Sequence, residues 1–200
     1  AVVAGSEIAV PIAAHVDLSL TELLQIAYVS YYFIMLAVGV ELWLRKARDR
    51  FSYALFAIVS GFFLSYLGYL AVPAVGPRFM LHNFATLHAE LPGLWLTEGI
   101  RNFINAGESI RGGIADAVQR AQRDAFPSGH TEMTLISVFL AFRYGLRSRW
   151  ALVCFGTLLL ISTVYLRYHY VVDLAGGLLF AAVAVWTAPM LFSWWEKVRR

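Results

Sequence analysis

Two histidines carry the residue patterns best suited to chemistry. His130 ends the run Pro127-Ser128-Gly129-His130, and His169 stands four residues ahead of Asp173 in "HYVVD" (169–173). Positions i and i+4 share a helix face. Asp173 can therefore lie beside the His169 imidazole, hold its tautomer and raise its basicity, as the acid does in a nucleophilic triad. The stretch "AFPSGHTEM" (125–133) reads as the mouth of a helix. Ser128 is a good N-cap residue, and Gly129 lets backbone approach closely. The free N–H groups and positive dipole end of such a helix favour an anion. If His169 opens a second helix on the same side, two positive ends face one pocket, which suits a phosphate. Arg78, in "GPRF" (76–79), and Arg167, two residues before His169, can each offer a guanidinium fork to phosphate oxygens.

Each of these residues also has a plainer reading. His169 and Asp173 can be a structural pair, Ser128 a helix cap alone, and Arg78 or Arg167 an interfacial anchor. Glu132 reads as a carboxylate complementing the helix dipole. His15, His82 and His88 lack the spacing of metal ligands and read as surface residues.

The elements that must position these groups are membrane helices. The chain has 200 residues, 60% hydrophobic and 14% charged, with mean hydropathy +0.65. A soluble domain carries roughly 25% charged residues, so the composition is that of an integral membrane protein. Net charge is +3, and the 16 basic residues gather at the ends of apolar runs. That pattern excludes a nucleic-acid binder. One cysteine, Cys154, lies inside an apolar run, which leaves no disulfide framework and no cysteine metal cluster. The first 20 residues hold Glu7, Pro11, His15 and Asp17, with neither the basic start nor the cleavage pattern of a signal peptide.

A spanning helix needs roughly 17–25 mostly apolar residues. Five stretches qualify: the 18 uncharged residues between Glu22 and Glu41, then Phe51–Leu70, Thr131–Leu146, Trp150–Leu166 and Leu174–Trp195. In the third, the shortest, Arg143 can snorkel to the interface. The basic clusters "RKARDR" (45–50), "RSR" (147–149) and "EKVRR" (196–200) all fall on one side of an alternating chain. The positive-inside rule makes that side cytoplasmic. The other side, periplasmic, extracellular or lumenal, then holds the 71–130 connection and both histidines. In that connection "LWLTEGIRNFIN" (94–105) and "ESIRGGIADAVQRAQRD" (108–124) space apolar residues by three and four, as in short interfacial helices. The expected architecture is an all-α, polytopic membrane bundle forming one domain over 1–200.

"PSGH" at 127–130 and "HYVVD" at 169–173 resemble the second and third signatures of the type 2 phosphatidic acid phosphatase superfamily. "HYVVD" followed by "DLAGG" (173–177) is most similar to the inositol phosphorylceramide synthase-like branch. The resemblance covers about residues 70–180. It implies His169 as nucleophile forming a phosphohistidine, Asp173 as its orienting carboxylate, and His130 as the acid that protonates the leaving oxygen. It implies Ser128, Gly129 and Arg78 as phosphoryl holders, with no metal and no cofactor. Positioning and fixed positive charge suit such a transfer. Two departures stand out. "YLAVPAVGPRF" lacks the lysine of the first signature and has Pro77 before Arg78. Thr163 stands where the third signature has Ser-Arg, with Arg167 four residues on. The resemblance also implies six spans, so a first helix lies outside this sequence or the branch lacks it.

The expected function is a membrane phosphatase acting on a lipid phosphate or diphosphate, with a bacterial inner membrane as its expected location. The alternative with the same histidines is a headgroup phosphotransferase, in which an alcohol replaces water. A proton-coupled transporter is the alternative of another class; it calls for polar residues deep in the spans, whereas these gather at the outer ends. The expected partners are the lipid substrate and the bilayer, and the sequence is silent on oligomeric state.

Overall fold

A computed structural model describes residues 17–108, 110 and 117–199, and among these the regular structure is all helical. The first two helices, α1 (Leu18–Val29) and α2 (Tyr31–Leu44), occupy the first apolar run but are bent by 47° at Ser30. The Ser30 hydroxyl donates to the Ala27 carbonyl at 2.6 Å, competing with the helix ladder at the break. Asp17 caps α1 through the Ser19 and Leu20 N–H groups. Lys46, at φ 55°, turns the chain into α3 (Arg48–Ala71).

The connection that follows is built from short pieces: α4 (Pro77–Met80), α5 (Leu87–Glu90), α6 (Thr97–Gly107) and α7 (Ala117–Arg120). The helix expected over 94–105 is α6. The helix expected over 108–124 is seen only as the four residues of α7; residues 109 and 111–116 of that stretch lie outside the described residues, as does His15. The last three helices are α8 (Gly129–Arg143), α9 (Arg149–Tyr165) and α10 (Val171–Arg199).

By length and composition two helices, α3 and α10, can cross a membrane, and a third crossing appears if the bent α1–α2 pair counts as one. This falls short of the five spans expected. The expected runs included residues that the backbone spends on turns: α8 stops at Arg143 because Gly145, at φ 58°, reverses the chain. With 15 and 17 residues, α8 and α9 reach about 22 and 26 Å against a hydrocarbon core of about 30 Å.

The core forms where α8 packs between α3, α9 and α10, with α2 laid against α3 and α8. Val38 and Leu42 of α2, Met133 and Ile136 of α8, and Ala181 and Ala188 of α10 meet there, all nearly inaccessible. Helix α10 supplies small residues at this seam, as membrane helices do to bring backbones together. At Gly177 the fit is strict: a Cβ would stand 2.5 Å from the Ser128 carbonyl oxygen. The opposite faces are apolar and exposed, with Phe33, Phe63, Leu70 and Trp186 turned outward. Such a surface fits a lipid solvent.

Two carboxylates at the ends of the bent pair tie it to the rest. Glu22 accepts from the Leu94, Trp95, Leu96 and Thr97 N–H groups at 2.6–3.3 Å and so caps α6. Glu41 accepts from the Arg147 and Ser148 N–H groups at 2.6 and 3.1 Å and caps α9.

Candidate active site

The mouth of α8 and the start of α10 are locked together by backbone. Ser128 is in extended conformation, its hydroxyl accepts the Thr131 N–H at 3.3 Å, and its own N–H donates to the Asp173 carbonyl at 2.9 Å. The Asp173 carboxylate in turn accepts the Tyr170 N–H at 2.7 Å, closing the first turn of α10. The two helix N-termini are therefore neighbours by construction.

His169 sits just ahead of α10 and is buried. Its Nδ1 lies 3.0 Å from the Ala125 carbonyl oxygen and 3.5 Å from the Asp173 carboxylate. A carbonyl only accepts, so that contact assigns the proton to Nδ1 and leaves the lone pair on Nε2. Nε2 faces His130 Nδ1 at 3.4 Å. Ala125 is itself held by the connection: its N–H donates to the Ala74 carbonyl at 3.0 Å, beside a parallel bridge between Ala74 and Asp124. Sequence reasoning assigned the orienting role to Asp173 and missed the Ala125 carbonyl, because a backbone acceptor has no residue-type signature.

Rings hold His130 from the bent pair. Tyr28 and Tyr31, on either side of the break, lie 4.6 and 4.5 Å from its imidazole, centroid to centroid. Tyr28 also stacks on Tyr168 at 4.2 Å. The Arg78 guanidinium lies 4.5 Å over Tyr168 and 4.6 Å over Phe79. It donates to Asn105 at 3.2 Å and pairs with Glu108, both on or just after α6. Burial pushes the Glu108 carboxyl above the usual carboxylate range, against the pull of Arg78.

A cavity of about 420 Å³ opens among these groups. His130, His169, Gly129 and Arg78 line it; Ser65, Tyr69, Glu108, Gln122 and Asp124 add to its polar wall. The structure thus brings four of the seven expected site residues to one cavity. Ser128 and Asp173 stand behind its wall, fully buried, and hold the two helix starts. Arg167 does not reach it: its guanidinium pairs with Glu90, and its backbone, at φ 65°, turns to accept the Arg78 N–H at 2.9 Å. The tyrosines of α1, α2 and α3 were missed. Their recurrence at close spacing (28, 31, 32 and 66, 69) is the only trace of them in the sequence.

A cavity presenting a free imidazole nitrogen, a second imidazole, a helix N-terminus and a guanidinium can bind an anion and attack it. Comparison with known proteins agrees in kind. The profile of the PAP2 superfamily matches residues 8–187. A PA-phosphatase related-family protein of Dictyostelium discoideum is 27% identical over 183 aligned positions, covering 79% of this chain and 30% of that protein. The chain thus spans under a third of that relative's length. No solved structure matches. The profile takes in the cavity and both helix starts that frame it, and the chain belongs to the PAP2 superfamily.

Proposed function

We propose that this protein is an integral membrane lipid phosphatase that takes a phosphoryl group from a lipid phosphate or diphosphate through a phosphohistidine on His169. The observation that carries the reading is the His169 ring: Nδ1 is committed to the Ala125 carbonyl at 3.0 Å, and Nε2 is turned to the cavity beside His130. In the first step the P–N bond to Nε2 forms as the bond to the leaving oxygen breaks, and His130 gives that oxygen its proton. In the second, water attacks phosphorus, His130 takes the water's proton, and the P–N bond breaks to release phosphate. Arg78 and the α8 N-terminus supply the fixed positive charge. No metal enters this reading.

The reading places the cavity on the non-cytoplasmic face of a bacterial inner membrane, with α8 and α9 as short third and fourth crossings. A second reading, transfer to an alcohol as in the inositol phosphorylceramide synthase-like branch, draws support from Gln122 and Asp124. These polar side chains line the same cavity and can hold a polyol in place of water.

The test uses the detergent-purified protein with labelled lipid monophosphates, diphosphates and phosphodiesters, each with and without inositol, glycerol or ceramide. Free phosphate lost in His169→Ala, with kcat/KM for His130→Ala down by at least about 100-fold, is the expected result. An acid-labile label on the wild-type protein marks the intermediate. A phosphodiester formed only with an acceptor selects the transferase. Turnover undiminished in His169→Ala sinks both.

A further inference from the structure

Glu132 is a buried ionisable group that the reaction above leaves unused. It lies on the first turn of α8, two residues after His130, and is 0% exposed. One of its oxygens accepts the Ser65 hydroxyl; the other, Oε1, has no hydrogen-bond partner among the described residues. Half-satisfied buried carboxyl groups are costly, and ionisable side chains at membrane depth are rare outside functional sites.

Ser65 links it to the cavity. One turn along α3 the Tyr69 hydroxyl stands beside Ser65, and both side chains line the cavity. They stand over the α8 mouth: a Cβ on Gly129 would meet the Tyr69 hydroxyl at 2.5 Å and Ser65 Oγ at 3.6 Å. Glu132, Ser65 and Tyr69 form a string of oxygens from the core to the place where a phosphoryl group is expected. Such a string carries its hydrogens in one sense at a time. Here Ser65 donates inward to Glu132. An anion at the outer end takes the Tyr69 hydrogen, and Ser65 and Tyr69 then stay hydrogen-bonded to each other only in the reverse sense, with Ser65 donating to Tyr69 and Glu132, as a carboxylic acid, to Ser65.

We propose that Glu132 is a positioning residue that, through Ser65 and Tyr69, turns a hydroxyl donor onto the bound phosphoryl group and takes up one proton as the anion binds. The inference rests on the phosphatase reading of the cavity. No heavy-atom bond changes: a solvent proton goes to Glu132, the Ser65 and Tyr69 hydrogens reverse, and the proton returns when phosphate leaves. The titratable groups nearest Glu132 on the neighbouring helices are Tyr31 of α2 and Tyr69 of α3, while His130 and His169 line the same cavity.

Calorimetric titration of the detergent-purified chain with inorganic phosphate, in two buffers of different ionisation enthalpy, reads both affinity and proton uptake. Tyr69→Phe and Glu132→Met are each expected to weaken binding about tenfold, the size of one hydrogen bond to a charged group. The double variant is expected to lose no more than either alone, within about twofold. Glu132→Gln keeps wild-type affinity, since its amide can donate to Ser65, and takes up one proton fewer. Additive losses in the double variant, a Glu132→Gln that binds as poorly as Glu132→Met, or unchanged proton uptake overturns the inference. Thermal melting of each variant separates lost binding from lost fold. A wild type that binds no phosphate overturns the phosphatase reading itself.

Discussion

Arg78 is the residue whose surroundings say most about how an anion is met. Its guanidinium is sandwiched by Tyr168 and Phe79 and forked between Asn105 and Glu108. Lysine offers neither the plane nor the fork. Arg78→Lys is expected to raise KM for the lipid phosphate about tenfold with a smaller fall in kcat, read from initial rates. Glu108 holds the guanidinium that a phosphate would use, so Glu108→Gln is expected to lower KM several-fold at neutral pH. The sign with pH follows from burial, which lifts the Glu108 carboxyl above its ordinary range. As pH falls, native Glu108 neutralises before an ordinary carboxylate does, Arg78 is released, and the advantage of Glu108→Gln shrinks. A KM ratio that stays flat or grows toward acid pH contradicts this. At this scale the histidines and Arg78 were legible in the sequence because few residue types do their chemistry. The Ala125 carbonyl and the Arg167–Glu90 pair were not legible, since both depend on how the connection folds back.

At the scale of elements, the apolar runs marked where helices lie because charges bound them. The break at Ser30 left no trace, having neither Gly nor Pro. It matters, because it sets Tyr28 and Tyr31 on two sides of His130. The roles of Glu22 and Glu41 were equally hidden: as letters they only ended a span, and in the fold each caps another helix. Glu22→Gln keeps the shape but loses charge toward four N–H groups. It is expected to cost about 1–2 kcal/mol and to expose α6 to protease, as followed by melting and limited digestion in detergent. Gly177→Val forces the Ser128 carbonyl off α10; overpacking costs about 1–3 kcal/mol, and the loss of activity is expected to exceed what the drop in Tm explains.

At the scale of the molecule, crossing number and sidedness go together. With Cys154→Ser as background, single cysteines at Lys46 and Glu98, both exposed, test them in intact cells. A membrane-impermeant thiol reagent is expected to reach position 98 from outside and position 46 only after lysis. Labelling of both from one side contradicts the proposed topology. The connection is strapped to the start of α10 by Arg167 and Glu90, whose carboxyl Arg167 and Thr86 hold below its usual range. A lowered carboxyl stabilises above the unfolded value of about 4.3 and loses that contribution as pH falls through the folded value. Glu90→Gln is therefore expected to be less stable by under about 1 kcal/mol at neutral pH, since the pair is partly exposed. The difference is expected to close in acid.

The two caps made by the bent pair bear on how the chain can be divided. Glu22 and Glu41 serve helices on opposite ends of the bundle, and the turn at 45–47 joins their element to everything else. A cut there would leave one fragment with two carboxylates seeking amides and the other with six backbone N–H groups seeking acceptors. Co-expressed as separate polypeptides, the halves have a reason to find one another. Reassembly can then be scored by a reaction whose histidines both reside on the larger piece while the rings that flank one of them come from the smaller.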